Sequence, residues 1–340
     1  MFPDEVQLYV CPRTGEKLTL KKGARISGKE ITSGMLSAPG GLQYPVRDGI
    51  PDFTYPQVLA EKDIKSRAEY DVASRDYDHL QKVTFSILCQ DENAFRQDMV
   101  RLLNLRRDSV VLETASGTGL NVPYIMEEMK GNGRIFLQGI SPGMLEHCRP
   151  VSSRKGRDRV KLHRSVGNAA YLPFPDKYFD AALSFGGIGV FGEKEKAISE
   201  MFRVVKPGGR IVFGDEGVAP WLRSSLYGRI LMDNNPYYAD EVPTSLLPVE
   251  ARDVTVRWVM GGGFYLVDMT VGEGEPRADF DYPIPGVRGG TLNTRYYGKL
   301  EGVTPETKEL VRKAREKSGK SMHRWLDEVL RQAAEKEIRK

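Results

Sequence analysis

Cysteine is scarce in this 340-residue chain: Cys11, Cys89 and Cys148 are the only three, far apart and with no C-x-x-C pair. That spacing excludes a thiolate-built zinc site and a disulfide-dense secreted scaffold. The four histidines, His79, His147, His163 and His323, are equally scattered, so no protein-built metal site is expected. A G-x-S-x-G elbow is missing too, which leaves a triad hydrolase without support. No apolar run approaches the ~20 residues of a membrane span; Val110-Val111-Leu112 is strand-sized. Met1-Phe2-Pro3-Asp4-Glu5 lacks the basic start and apolar stretch of a signal peptide, so a cytoplasmic protein with no membrane partner is expected.

What remains is an ordinary globular composition, 40% hydrophobic and 28% charged, long enough for two or three domains. Net charge is +4, and the basic excess lies in Arg295–Lys340, with 13 Lys and Arg against 8 Asp and Glu. It reads as a solvated helix face before it reads as a nucleic-acid surface, and nucleic-acid partners are not expected.

Three paragraphs of text are visible along the chain. Residues 1–60 crowd turn residues, among them Pro12, Gly15, Gly34, Pro39-Gly40-Gly41 and Pro51, between short β-prone pieces such as Leu18-Thr19-Leu20. This predicts a small β-rich module. Residues 61–274 begin helical, with Ala68, Val72, Leu80, Tyr70 and Tyr77 as an amphipathic pattern and Ala94–Leu105 as another. Strands then alternate with helices. Strands are predicted at 109–113, 134–138, 160–163, 179–184 and 210–213, and helices at 121–130, 142–147 and 195–204. That alternation predicts an α/β fold with five parallel strands. Asp253–Met260 and Phe264–Val271, joined by Gly261-Gly262-Gly263, read as a closing antiparallel hairpin, which a dinucleotide-binding sheet would not carry. Residues 275–340 read as a Gly/Pro linker followed by a strand at Asn293–Leu300 and two helices. Thr304 caps the first of these, and Met322, Trp325, Leu326, Val329 and Leu330 form the stripe of the second.

The most specific stretch is Val110 to Gly119, a buried strand ending in Glu113 followed by the small-residue loop Thr114-Ala115-Ser116-Gly117-Thr118-Gly119. Small residues let backbone N–H groups approach a ligand, and the acid suits an amine. Downstream lie Leu172-Pro173-Phe174-Pro175-Asp176-Lys177-Tyr178-Phe179-Asp180 and Glu200-Met201-Phe202-Arg203-Val204-Val205-Lys206-Pro207-Gly208-Gly209-Arg210. In order and with the hairpin, these resemble the class I S-adenosylmethionine-dependent methyltransferases, most of all the ubiquinone/menaquinone methyltransferase branch, over residues 62–272. The resemblance implies a Rossmann-like sheet, S-adenosylmethionine as cofactor and a small, aromatic or lipophilic acceptor.

Carried over by position, it implies Glu113 at the methionine ammonium and Thr114, Ala115, Ser116, Gly117 and Gly119 beneath the amino-acid chain. Gly139 stands where the family places a ribose-binding acid, within Gly139-Ile140-Ser141 and ahead of Met144. Asn168, followed by Ala169, stands where an acid faces the adenine amine, and Ala115 replaces the first loop glycine. Ser184 at the fourth strand and Tyr77 before the loop complete the cofactor set. Asp215 and Glu216 end the fifth strand and are the proton-acceptor candidates, with helix capping as the bland alternative. Trp221, Tyr227, Tyr237 and Tyr238 would roof the acceptor pocket. Loss of the ribose acid leaves open a retained fold with altered chemistry, such as a lyase, cyclase or binding protein.

Both ends carry weaker resemblances. Cys11-Pro12-Arg13-Thr14-Gly15 with Tyr44–Phe53 is similar to zinc-ribbon-derived domains, here with one cysteine and hence zinc-free. The C-terminal strand and helices resemble a ribbon-helix-helix unit, implying a homo-oligomer through that module and, as a lesser alternative, DNA reading by Asn293, Arg295 and Tyr297.

Overall fold

The computed structural model describes residues 1–148, 160–285, 289–298 and 303–339. The chain divides into two compact units, Met1–Glu275 and Pro276–Lys340. No helix among the described residues is long and apolar enough to cross a membrane.

The first unit opens with a small antiparallel sheet: β1 (Thr19–Leu20), β2 (Arg25–Ser27), β3 (Glu30–Ser37), β4 (Gln43–Arg47) and β5 (Ile50–Pro51). Three helices follow, α1 (Glu61–Ala73), α2 (Tyr77–Ile87) and α3 (Glu92–Arg101). The alternating stretch then runs β6 (Val110–Thr114), α4 (Val122–Met129), β7 (Arg134–Gly139), α5 (Pro142–His147), β8 (Lys161–Val166), β9 (Phe179–Phe185), α6 (Lys194–Val204) and β10 (Val205–Glu216). After α7 (Leu226–Asn234) the hairpin β11 (Ala251–Val259) and β12 (Phe264–Val271) closes the sheet.

Sheet order is β8-β7-β6-β9-β10-β12-β11, parallel from β8 to β10 and antiparallel at β12 and β11. Val110-Val111-Leu112 occupies the middle because every residue of β6 is buried, as a strand covered on both faces must be. The chain leaves β6 outward to β7 and β8, then returns to the other side at β9. This reversal leaves a crevice beyond the carboxyl ends of β6 and β9, the place where open α/β sheets take ligands.

The amino-terminal sheet shares its core with the large one. Tyr9, 2% exposed, packs on Phe53, Phe174 and Phe136 at ring-centroid distances of 4.9, 5.5 and 6.3 Å. Val10 N–H donates to the Pro173 carbonyl and Phe53 N–H to that of Val166. His163 stacks on Phe136 at 4.3 Å with Glu5 3.3 Å from its Nδ1, so it serves this junction. Cys11 is buried with its Sγ 3.2 Å from the Tyr44 hydroxyl.

Two expectations need correcting. Val72 and Leu80 are not core residues: they are 85% and 49% exposed, and the inward positions of α1 and α2 are instead Asp63, Ser66 and Tyr70, then Tyr77 and Phe85. The polar inward face belongs to a crevice wall, which a purely apolar periodicity does not register. The expected strand at Asn293–Leu300 is a helix, α8 (Leu292–Tyr297), with Lys299 and Leu300 outside the described residues. Thr291 is the cause: its side chain accepts from Thr294 N–H while Thr294 Oγ1 accepts from Thr291 N–H, a reciprocal cap that starts a helix. With α9 (Pro305–Ser318) and α10 (Met322–Ile338), the second unit is helical throughout its described elements, not strand-helix-helix. The ribbon that Asn293, Arg295 and Tyr297 would have formed is therefore not there, and Arg295 donates to the Gly289 carbonyl.

Candidate functional site

The β6 strand delivers Thr114 to a turn that bends at Ala115, Gly117 and Gly119, with φ of 50°, 54° and 80°. Ala115 holds the left-handed conformation a glycine would take for free, at a cost of ~1–2 kcal/mol, so the turn keeps its shape although the residue differs. Space explains two of the glycines. A Cβ on Gly117 would stand 3.3 Å from the Tyr77 ring, and one on Gly119 would stand 2.6 Å from Cys148 Sγ.

Helices α1 and α2 lie over this turn and the end of β7. Asp71 Oδ1 accepts from Ser141 Oγ at 2.5 Å and from Gly143 N–H at 3.0 Å, while Thr118 Oγ1 donates to Asp78 at 2.6 Å. Tyr70 and Tyr77 meet edge to face at 6.2 Å. Beneath them is a crevice of about 630 Å³ including its mouth. Of the residues expected to contact a cofactor, Tyr77, Ala115, Gly117, Gly139, Ile140, Ser141, Met144, Asn168 and Ala169 line it. Glu113, Thr114, Ser116, Gly119 and Ser184 stand behind that lining. Asp63, Ser66 and Phe191 also line it and were not singled out from the sequence. Asp63 stands in the first turn of a helix, where an acid is already explained by the helix dipole, so no sequence signal distinguishes it.

Buried polar atoms without a protein partner gather at this end of the sheet: Glu113 Oε2, Thr114 Oγ1, Ser116 Oγ, Gln138 Oε1 and Ser184 Oγ. Buried polar groups are rarely left unpaired, and of these five residues only Gln138 lines the crevice, the others being buried beside it. Glu113 Oε1 accepts from Asn121 Nδ2 at 2.7 Å, and Asn121 Oδ1 accepts from Arg96 at 2.7 Å. Burial pushes the Glu113 carboxyl up to about 7, with the Asn121 hydrogen bond and the Arg96 charge opposing.

At the end of β10 the carboxylate of Asp215 accepts from Gly189 N–H at 2.6 Å and from Glu216 N–H at 2.9 Å. It fastens the loop after β9 and caps no helix, because the chain continues into a short 3-10 turn at Pro220–Leu222. Glu216 is held well above the usual carboxylate range by burial, then by its hydrogen bond to Asp215 and that residue's charge. The same two acids act on Tyr70 and Tyr77: burial raises both phenols most, Tyr77 to about 12, and the charge of the acids adds to it, after the neighbouring Tyr77 for Tyr70 and against the opposing Arg96 charge for Tyr77. Glu216 is thus electrostatically coupled to the crevice wall.

The four aromatic residues expected to roof an acceptor pocket do not line this crevice. Tyr237 packs near Asp215 and under the Lys62 ammonium, 5.6 Å from its ring, and Tyr238 is buried edge-on to Phe264 at 5.6 Å. Trp221 is 67% exposed and faces Trp258, and the Tyr227 hydroxyl donates to the Met260 carbonyl at 3.4 Å. The helical spacing after β10 serves the hairpin at these last two positions. His147, at the end of α5, is exposed.

The strand order and the turn after β6 define a Rossmann-like fold of the class I methyltransferase type. The family model of the ubiE/COQ5 methyltransferase family matches residues 58–216. The ubiquinone/menaquinone biosynthesis C-methyltransferase UbiE of Proteus mirabilis (strain HI4320) is 36% identical over 115 residues, 32% of this chain and 43% of the relative. The chain therefore spans under half the length of the curated relatives it matches. Among solved structures, phosphoethanolamine N-methyltransferase 2 of Haemonchus contortus, in complex with S-adenosyl-L-methionine, is similar at 13% identity and TM-score 0.46, over 68% of this chain and 63% of that one. An arsenic(III) S-adenosylmethionine methyltransferase of Chlamydomonas reinhardtii is similar at 15% identity and TM-score 0.35, over 52% and 67%.

Proposed function

We propose that this chain is an S-adenosylmethionine-dependent methyltransferase acting on a small acceptor of aromatic or lipophilic character. The observation that carries the reading is the crevice at the switch point of the sheet, walled by the turn after β6, the end of β7 and the rings of Tyr70 and Tyr77. The match to the ubiE/COQ5 methyltransferase family over the same residues supports it. When bound, the cofactor supplies a methyl group already activated on a sulfonium. Glu113 would hold its ammonium, Gly117 and the turn backbone would pass under its amino-acid chain, and Ile140, Asn168 and Ala169 would flank its base. Tyr70 and Tyr77 cover the crevice and exclude water. Glu216 would take the proton of an oxygen, nitrogen or acidic carbon nucleophile, with Asp215 and Tyr237 fixing the loop around it. Incubation with methyl-labelled S-adenosylmethionine and the small-molecule fraction of a cell extract should yield a labelled product. Label recovered only in unreacted cofactor would count against the reading.

The titration of Glu113 provides a second test. A carboxylate attracts an ammonium and a neutral carboxyl does not, and burial holds Glu113 near 7. Affinity is therefore expected to fall about tenfold for each pH unit below that value. Titration calorimetry with S-adenosylmethionine at pH 6, 7 and 8 measures it, and Glu113→Gln should bind weakly with a flat profile. A wild-type affinity independent of pH would remove Glu113 from this role.

The C-terminal unit we read as the site of homo-oligomerisation. Among its described residues Met322 is the only buried apolar side chain, while Val329 and Leu330 on the same helix are 38% and 61% exposed. So small an apolar core does not hold a unit of this size, and a second copy of α10 would cover the stripe. Light scattering should show a dimer that Leu326→Glu with Leu330→Glu converts to monomer; a monomeric wild type would refute it. The amino-terminal sheet, with Cys11 bonded to Tyr44, is consistent with a zinc ribbon that has exchanged its metal for packing.

A further inference from the structure

Asp63 is 3% exposed and lines the crevice, where its carboxylate is held by hydrogen bonds and feels the Lys62 charge only as a minor influence. Its Oδ1 accepts from Gly192 N–H at 2.8 Å and its Oδ2 from Asn168 Nδ2 at 3.2 Å. Gly192 permits this approach, since a Cβ there would stand 2.7 Å from Asp63 Oδ2. Asn168 is spent on the protein: its Oδ1 accepts from Ala170 N–H at 2.9 Å while its Nδ2 serves Asp63. Around the pair the crevice is lined by Ile140, Ala169, Val190 and Phe191, an apolar slot suited to a flat ring. A slot of this kind with a buried carboxylate at its edge selects a ring that carries a hydrogen-bond donor there. Burial lifts the Asp63 carboxyl above its ordinary range, with the Gly192 and Asn168 hydrogen bonds opposing, so a donor that shares its charge relieves a real cost.

We infer that Asp63, delivered by α1 and not by the sheet, is the residue that selects an amino-purine in this crevice, accepting a hydrogen bond from its exocyclic amine while fixing the amide of Asn168. The inference rests on the proposed nucleoside cofactor and concerns which side chain reads its base. A ring with a carbonyl in place of that amine would put acceptor against acceptor beside a buried carboxylate.

The test compares binding, not turnover, of S-adenosylhomocysteine and its deaminated form, S-inosylhomocysteine, by calorimetry. The wild-type chain should prefer the adenine form by about a hundredfold, within the range that a missing polar partner costs a site built for it. In Asp63→Asn, whose amide can turn to donate, the preference should fall to within about threefold, with thermal unfolding used to show that the variant folds. Equal wild-type binding of both nucleosides, or full preference retained in folded Asp63→Asn, would overturn the assignment while leaving the cofactor reading standing. Binding of neither nucleoside by the wild type would overturn both.

Discussion

Exchange of Glu216 for Gln is expected to lower methyl transfer by about a hundred- to ten-thousandfold, the contribution of a positioned proton acceptor, with affinity for S-adenosylmethionine unchanged. The amide keeps the shape of the side chain and its contact with Asp215 but cannot take a proton. Asp215 is not expected to substitute, because its carboxylate fastens the loop after β9 through the backbone N–H groups of Gly189 and Glu216. The pH dependence follows from the direction of the shift. Burial and Asp215 hold Glu216 protonated above the ordinary carboxylate range, and only its ionised form accepts a proton. Wild-type turnover should therefore rise with pH through this elevated range, and the Gln variant should lose that limb. Labelled-methyl transfer measured against pH decides the matter: a variant with the wild-type rate and profile would remove Glu216 from the reaction.

Gly139→Asp is expected to tighten S-adenosylmethionine by about ten- to a hundredfold, a gain of function from a single substitution. The end of β7 lacks the carboxylate that the family resemblance places on the ribose hydroxyls, and hydrogen bonds to a charged group are worth roughly 1.5–3 kcal/mol. Room for it exists. A Cβ on Gly139 would have Leu145 at 3.8 Å and Ser116 Oγ at 3.9 Å as its nearest neighbours, both ordinary contacts. Asp71, held at Ser141 and Gly143, lies close enough to offset part of the gain by repulsion, which favours the lower end of the range. Calorimetric dissociation constants for the two proteins check this. An unchanged or weaker affinity in the Asp variant would mean that the sugar does not pass Gly139.

The sheet was legible because its signals are local: Val110-Val111-Leu112 reads as a doubly covered strand, Lys206-Pro207-Gly208-Gly209 marks the entry to β10, and three glycines mark the hairpin. Residues 142–147 were read as a helix and are one, since Ser141 caps it by accepting from Met144 N–H. The turn after β6 was legible for the same reason, its small residues being adjacent in sequence. The other half of the crevice is assembled from α1, about fifty residues earlier, and nothing local marks Asp63 or Asp71 as anything but helix-surface acids. Their roles arise only when α1 packs against the ends of β7 and β8. The helix α8 differs from the strand expected at Asn293–Leu300 because the Thr291–Thr294 cap decides the backbone. Trp221, Tyr227, Tyr237 and Tyr238 are close in sequence, but Trp221 and the Tyr227 hydroxyl are taken up by Trp258 and Met260 of the hairpin, which no local pattern marks.

The proposed activity requires a nucleoside sulfonium to enter the cleft between the β6 turn and Tyr77. Isothermal titration of this 340-residue chain with S-adenosylmethionine at pH 8, above the value of about 7 at which Glu113 titrates, measures that directly. One saturable site per chain, abolished by Gly117→Leu in a protein that still unfolds cooperatively, is the expected result. Absence of heat at millimolar ligand, or equal binding by the Leu variant, would contradict it.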